Sequence, residues 1–130
     1  MRARDLGIAI GDWPPGPLNA ISDVPGVKVG HSTIVRGDGP LLVGQGPVRT
    51  GVTVVVPHDG DVWTEPVFAG THALNGNGDM TGLEWIRETG LHAGAIAITN
   101  THSVGVVRDA LVSWAIREGD DRWHLPVVGE

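Results

Sequence analysis

Asn75, Asn77 and Asp79 stand at alternate positions in Leu74-Asn75-Gly76-Asn77-Gly78-Asp79-Met80-Thr81-Gly82, separated by glycines that can take positive φ. Amide and carboxylate groups so spaced can bind a cation, frame a phosphate or line a polar cleft. The cation reading fails on register, because the sixth position of a calcium loop would be Met80 and the bidentate twelfth would be Ile86. Gly76-x-Gly78-x-x-x-Gly82 superficially resembles a dinucleotide phosphate loop. Its spacing is wrong, and the next strand ends in Asn100 rather than in an acid for a ribose. What remains is either a tight Gly/Asn turn or one wall of a site.

Other reactive side chains are sparse. None of the six histidines forms a His-Glu-x-x-His motif or an i, i+4 pair, so no metal site is expected. His102, between a strand end and a helix start, is the best placed to line a cleft, although a histidine there more often only borders the helix. Glu130 and Asp79 are candidate acids or substrate anchors, against the commoner case of a solvated loop carboxylate. Spacing alone assigns no nucleophile, base and orienting partner, and no cofactor is called for. Cysteine is absent, which removes disulfides, thiolate metal sites and thiol catalysis.

The elements around these residues follow from pattern. Thr81 with Glu84 three residues on has the form of a capping box, and Met80 with Trp85 that of a hydrophobic staple. With Gly90 as the stop, a helix is expected over Gly82–Thr89. Pro14, Pro15 and Pro17 force an extended surface segment, and Pro25-Gly26 centre a turn. Alternation from Val27 to Val35 predicts a strand, closed by the loop Gly37–Pro40, with a second strand possible at Leu41–Val43. Val52–Val56 is nearly all β-branched and suits a buried strand. Val67–Ala73 reads as a strand delivering the Asn/Asp loop, and Ala95–Thr99 as another buried strand. From Val104 to Glu118 a helix is expected, with Ser103 or Thr101 as its cap. Val104, Val107, Leu111, Trp114 and Ala115 form its stripe, yet Val106, Ala110, Val112 and Ile116 are apolar too. Such a helix is sandwiched between layers or lies in a subunit interface. Pro126–Glu130 reads as a strand just beginning. Strands and helices alternate, so the class is α+β or α/β in layers, as a single domain over residues 1–130 that reads as incomplete.

Composition agrees with that frame. At 130 residues there is room for one core, and 41% hydrophobic with 18% charged residues is a globular balance. A net charge of −6 and no Lys/Arg cluster give no reason to expect nucleic acid. No apolar run is long enough for a membrane span or a signal segment, and with the lack of cysteine this reads as a cytoplasmic chain.

Six ordered blocks then carry a resemblance. They are Arg2–Gly7, Gly16–Ile21, Val24-Pro25-Gly26-Val27-x-Val29-Gly30-His31-x-Thr33, Gly46–Thr53, Leu74–Gly82 and Thr99–Ala110. Together they closely resemble the DmpA/β-peptidyl aminopeptidase family, which includes L-aminopeptidase/D-esterase-amidases and β-aminopeptidases. The resemblance covers essentially the whole chain, as the first part of the family's α-subunit. It implies a layered αββα sandwich similar to N-terminal-nucleophile hydrolases, of which this chain holds only the N-terminal portion. It also implies a precursor that cleaves itself before a serine, which becomes the nucleophile of the β-subunit with its own amine as base. A homotetramer is implied as well.

By that resemblance, the cleavage site, the serine and the oxyanion-hole asparagine lie beyond Glu130, so no catalytic residue is expected in this chain. Glu130, closing Leu125-Pro126-Val127-Val128-Gly129-Glu130, matches the family's Pro-Val-Val-Ala-Glu and resembles the glutamate that binds the substrate's free amine. Gly129 departs from that pattern and loosens the backbone slightly. Asn75, Asn77 and His102 match blocks that line the family's cleft, and Trp123 sits where an aromatic would wall the side-chain pocket. The implied partners are small peptides, amides or esters and the remainder of the α- and β-subunits. The competing expectation is a non-catalytic fragment that serves only in folding or oligomerisation.

Overall fold

A computed structural model describes residues 2–130. Strands β1 (Lys28–Arg36) and β2 (Val48–Val56) pair antiparallel along their full length, Lys28 opposite Val56 and Arg36 opposite Val48. β2 then pairs antiparallel with β5 (Ile96–Ile98), and β5 pairs parallel with β6 (Val127–Gly129). The sheet order is therefore β1-β2-β5-β6. The parallel step between β5 and β6 requires a crossover. Helix α2 (Val104–Arg117) supplies it, lying across the sheet.

Period-2 alternation in β2 and the helical stripe of α2 meet in one core. Val52, Val54 and Val56 turn one face of β2 toward buried Val104 and Leu111, with Ala95, Ala97 and Val128 between them. Trp63, Val62 and Ala115 extend this core at the far end of the helix, where Trp63 meets Trp114 edge-on at 5.1 Å. The expected stripe of α2 is thus the face that packs. Val106 and Ile116, on its other side, are exposed.

Residues of opposite parity face the other way. Near β6 that second face is covered by α1 (Leu83–Thr89) and by the two-stranded antiparallel sheet of β3 (Val67–Phe68) and β4 (Leu91–His92). Farther out it is bare: Val29, Val35 and Ile98 are exposed. His31 there spans two threonines, with Nδ1 2.6 Å from Thr53 Oγ1 and Nε2 2.9 Å from Thr33 Oγ1. The chain therefore carries a helix layer against a sheet, as the α+β expectation requires. Among the described residues no helix is long and apolar enough to cross a membrane.

Three local expectations are corrected. Leu41–Val43 forms no strand, only a single bridge between Leu42 and Gly46, because Gly44 at φ 79° turns the chain back at once. The strand expected over Val67–Ala73 shrinks to two residues, since its partner β4 is two residues long and begins directly after Gly90. The helix over residues 82–89 starts at Leu83, with Gly82 in the cap position at φ 74°, and Thr81 does not cap it. The Thr81 hydroxyl instead donates to the Pro126 carbonyl at 2.6 Å and accepts the Val128 N–H at 3.0 Å. Glu84 pairs with Arg87 rather than reaching back, and Trp85 meets Trp123 edge-on at 5.2 Å. Gly90 does end the helix, at φ 70° and donating to the Ile86 carbonyl.

Candidate functional site

The Asn/Asp loop and the end of β6 are joined although about fifty residues separate them. Asn75 Oδ1 accepts the Asn77 N–H at 2.8 Å, a side-chain turn that tightens the loop. Met80 then bridges Gly129, and Thr81 N–H donates to the Val128 carbonyl at 2.9 Å. This places the Asp79 N–H 3.2 Å from Glu130 Oε1. Among the described residues Glu130 Oε2 has no such partner, so a carboxylate is fixed by one oxygen and offers the other.

Glu130 lies on the rim of a cleft of about 620 Å³ lined by Asn75, Asn77, Asp79, Trp85 and His72. Trp123 lines a neighbouring cavity of about 310 Å³ with Trp63, Trp85, His92 and His124. Gly82, Trp85 and Leu125 border both, so the two hollows share a wall that includes Trp85. His102 lies elsewhere, in the exposed 3-10 turn Thr101–Ser103 that opens α2. It sits beyond the carboxyl end of β5, beside that of β6, where Thr99 N–H donates to the Gly129 carbonyl. Glu130, Asn75 and Asn77 are thus gathered in one cleft, Trp123 in the adjoining hollow, and His102 outside both.

A larger concavity, of about 670 Å³, is not the candidate site. Its cations, Lys28 and Arg122, already have carboxylate partners: Lys28 Nζ lies 2.8 Å from Asp59 Oδ1, and Arg122 Nε donates to Asp120 Oδ1 at 2.8 Å. Arg122 also donates to the Trp63 carbonyl at 2.6 Å, tying the segment after α2 to the core. The Arg122 guanidinium holds the Asp120 carboxyl well below the usual carboxylate range. That cluster closes on itself.

Two buried imidazoles escaped the sequence reading, since nothing in their spacing marks them. Nε2 of His92 and Nε2 of His124 are both buried without a hydrogen-bond partner. Burial lowers the titration of His92 from its ordinary 6.5, opposed in part by a contact with the Gly94 backbone. The folded state therefore prefers neutral His92, while the unfolded chain protonates it as pH falls through 6.5. In that window the unfolded state binds more protons, so stability drops as pH falls. The expected result is a urea midpoint that declines between pH 7.5 and 5.5, with a shallower decline in His92→Phe. Parallel slopes would refute the assignment.

Residues 19–130 match the model of Peptidase family S58. The chain belongs to this family. It is 51% identical over 130 residues to a β-peptidyl aminopeptidase BapA of Sphingosinicella microcystinivorans, covering 99% of this chain and 32% of that protein. Among solved structures, a Burkholderia sp. β-aminopeptidase matches all of this chain and 36% of its own, at 56% identity and a TM-score of 0.85. The L-aminopeptidase D-Ala-esterase/amidase of Ochrobactrum anthropi, described as a serine aminopeptidase and a new variant of the Ntn hydrolase fold, matches 99% of this chain and 37% of its own. The identity there is 43% and the TM-score 0.83. This S58 chain has the fold of the corresponding portion of those enzymes, and it spans about a third of the curated relatives it matches.

Proposed function

We propose that this S58 chain forms the amine-recognising side of an aminopeptidase cleft that further polypeptide completes. The observation that carries the reading is Glu130: a carboxylate held by the Asp79 N–H at the rim of a polar cleft, with its second oxygen open. A substrate's ammonium sheds water on entering, and a fixed carboxylate replaces that hydration with a charge-assisted bond. Asn75 and Asn77 line the approach, and Trp123 with Trp85 forms an apolar wall beside it for the adjoining side chain.

The rest of the machinery lies outside this segment. It comprises an N-terminal serine nucleophile released by self-cleavage, acting on small peptides, amides or esters, in a cytoplasmic homotetramer. The aminopeptidases among the relatives support the peptidase part of this reading, and the third of their length that this chain spans supports a further polypeptide. His102 is assigned to the cleft only through the family blocks it belongs to, since its place at the start of α2 puts it beyond the lining described above.

The test is made on the natural protein that carries this segment. Intact-mass analysis is expected to show a second polypeptide beginning with serine. Hydrolysis of an aminoacyl anilide is expected, with none of its N-acetyl analogue. A single 13.6 kDa species, inert to both substrates, would overturn the reading in favour of a folding or oligomerisation module.

A further inference from the structure

β6 is the last strand of the sheet, so one of its edges pairs with β5 and the other is open to whatever covers it. The segment Asp79–Thr81 covers it. Met80 bridges Gly129, the Thr81 N–H donates to the Val128 carbonyl at 2.9 Å, and the Asp79 N–H reaches Glu130 Oε1 at 3.2 Å. Between these backbone contacts the Thr81 side chain does something a ladder cannot. Its hydroxyl donates to the Pro126 carbonyl at 2.6 Å and accepts the Val128 N–H at 3.0 Å. A hydroxyl has one proton, so donating to Pro126 fixes its rotor and turns a lone pair to Val128. Pro126 and Val128 are both buried, and without the hydroxyl neither group has another partner in view.

We infer that Thr81 is a positioning residue for Glu130. Its hydroxyl clasps β6 on both sides of Val127 and so holds the Glu130 carboxylate against the Asp79 amide. The inference rests on the reading of Glu130 as the amine anchor only for its consequence in activity; the clasp itself is separately measurable. Geometry favours positioning over simple cohesion. Three consecutive residues of the loop, Asp79, Met80 and Thr81, meet Glu130, which follows β6, and the strand residues Gly129 and Val128, in antiparallel order. A slip at Thr81 therefore propagates directly to the carboxylate two positions along.

Amide hydrogen exchange reads the clasp, and kinetics in the complete natural protein reads its use. The variants are Thr81→Val, which keeps the shape and removes the hydroxyl, Thr81→Ser, which restores it, and Glu130→Ala. Protection within β2 is the control for folding, and Thr81→Ala replaces the valine variant if that does not fold. Losing a buried hydrogen-bonded hydroxyl should quicken exchange of the Asp79 and Val128 amides about tenfold or more in Thr81→Val, with Thr81→Ser near wild type. Glu130→Ala should quicken Asp79 alone. Kinetically, Thr81→Val should lower kcat/KM about tenfold for an aminoacyl anilide and much less for its desamino analogue, adding little on top of Glu130→Ala. If Asp79 exchange quickens while neither Thr81→Val nor Glu130→Ala distinguishes the two substrates, the clasp stands and the amine-anchor reading falls. Unchanged Asp79 protection in Thr81→Val overturns the inference, whatever the kinetics.

Discussion

Replacing Glu130 with alanine in the complete protein is expected to lower kcat/KM for a free-amine anilide by about 30- to 5,000-fold, the equivalent of about 2–5 kcal/mol for truncating one partner of a buried charge pair. The ammonium of an aminopeptidase substrate loses hydration when it enters a cleft, and a carboxylate at hydrogen-bond range offsets much of that loss. Glu130 is already paid down in entropy, because the Asp79 N–H holds Oε1 at 3.2 Å before any substrate arrives. Preorganisation of this kind makes the loss on truncation larger than that of a mobile surface acid. The same substitution should barely affect a desamino anilide, which brings no cation to the site. Glu130→Gln keeps the acceptor but loses the charge, and should fall between the two. Steady-state kinetics on the paired substrates checks this. Equal losses on both would show that Glu130 serves the backbone rather than the amine.

Some of this architecture could be read from the chain and some could not, for physical reasons. The β-branched run Val52–Val56 and the stripe Val104-Val107-Leu111-Trp114-Ala115 are local patterns, and both enter the packed core. Thr81 misled because Thr-x-x-Glu is a local pattern, whereas the groups that claimed its hydroxyl, Pro126 and Val128, lie 45 and 47 residues away. A helix cap is worth about 1 kcal/mol, and two hydrogen bonds that satisfy buried backbone groups outweigh it. Val67–Ala73 has strand-like composition, yet a strand's length is set by its partner, and β4 offers two residues. For the site, spacing could say only that Asn75, Asn77 and Asp79 formed a turn or a wall. Glu130 is a candidate acid from its side chain alone, its role as amine anchor comes only from the resemblance, and its meeting with Asp79 is a fact of topology. The orphaned nitrogens of His92 and His124 had no sequence signal at all.

The same seam makes Gly82 the most sensitive glycine of the loop. Gly82→Ala is expected to destabilise the chain by about 2–5 kcal/mol, combining about 1–2 for a left-handed non-glycine residue with about 1–3 for overpacking. Its φ is +74°, and an added Cβ would stand 2.7 Å from the Leu125 carbonyl oxygen and 2.9 Å from that of Pro126. Neither oxygen can easily withdraw, since the Pro126 carbonyl is the acceptor for Thr81 and buried Val127 and Val128 follow directly. Two other glycines separate the contributions. Gly90 has nearly the same φ, +70°, with nothing within 4 Å of an added Cβ, so Gly90→Ala should cost only the conformational part, about 1–2 kcal/mol. At Gly129 an added Cβ meets Met80 Cε at 2.5 Å, but that is the free end of a flexible thioether side chain. Gly129 also has no positive φ, so Gly129→Ala should be accommodated by a new Met80 rotamer at less cost than either. Urea midpoints for the three variants should therefore fall in the order Gly82→Ala, Gly90→Ala, Gly129→Ala, largest loss first. If Gly82→Ala were no worse than Gly90→Ala, the Leu125 and Pro126 carbonyls would not press on the start of α1.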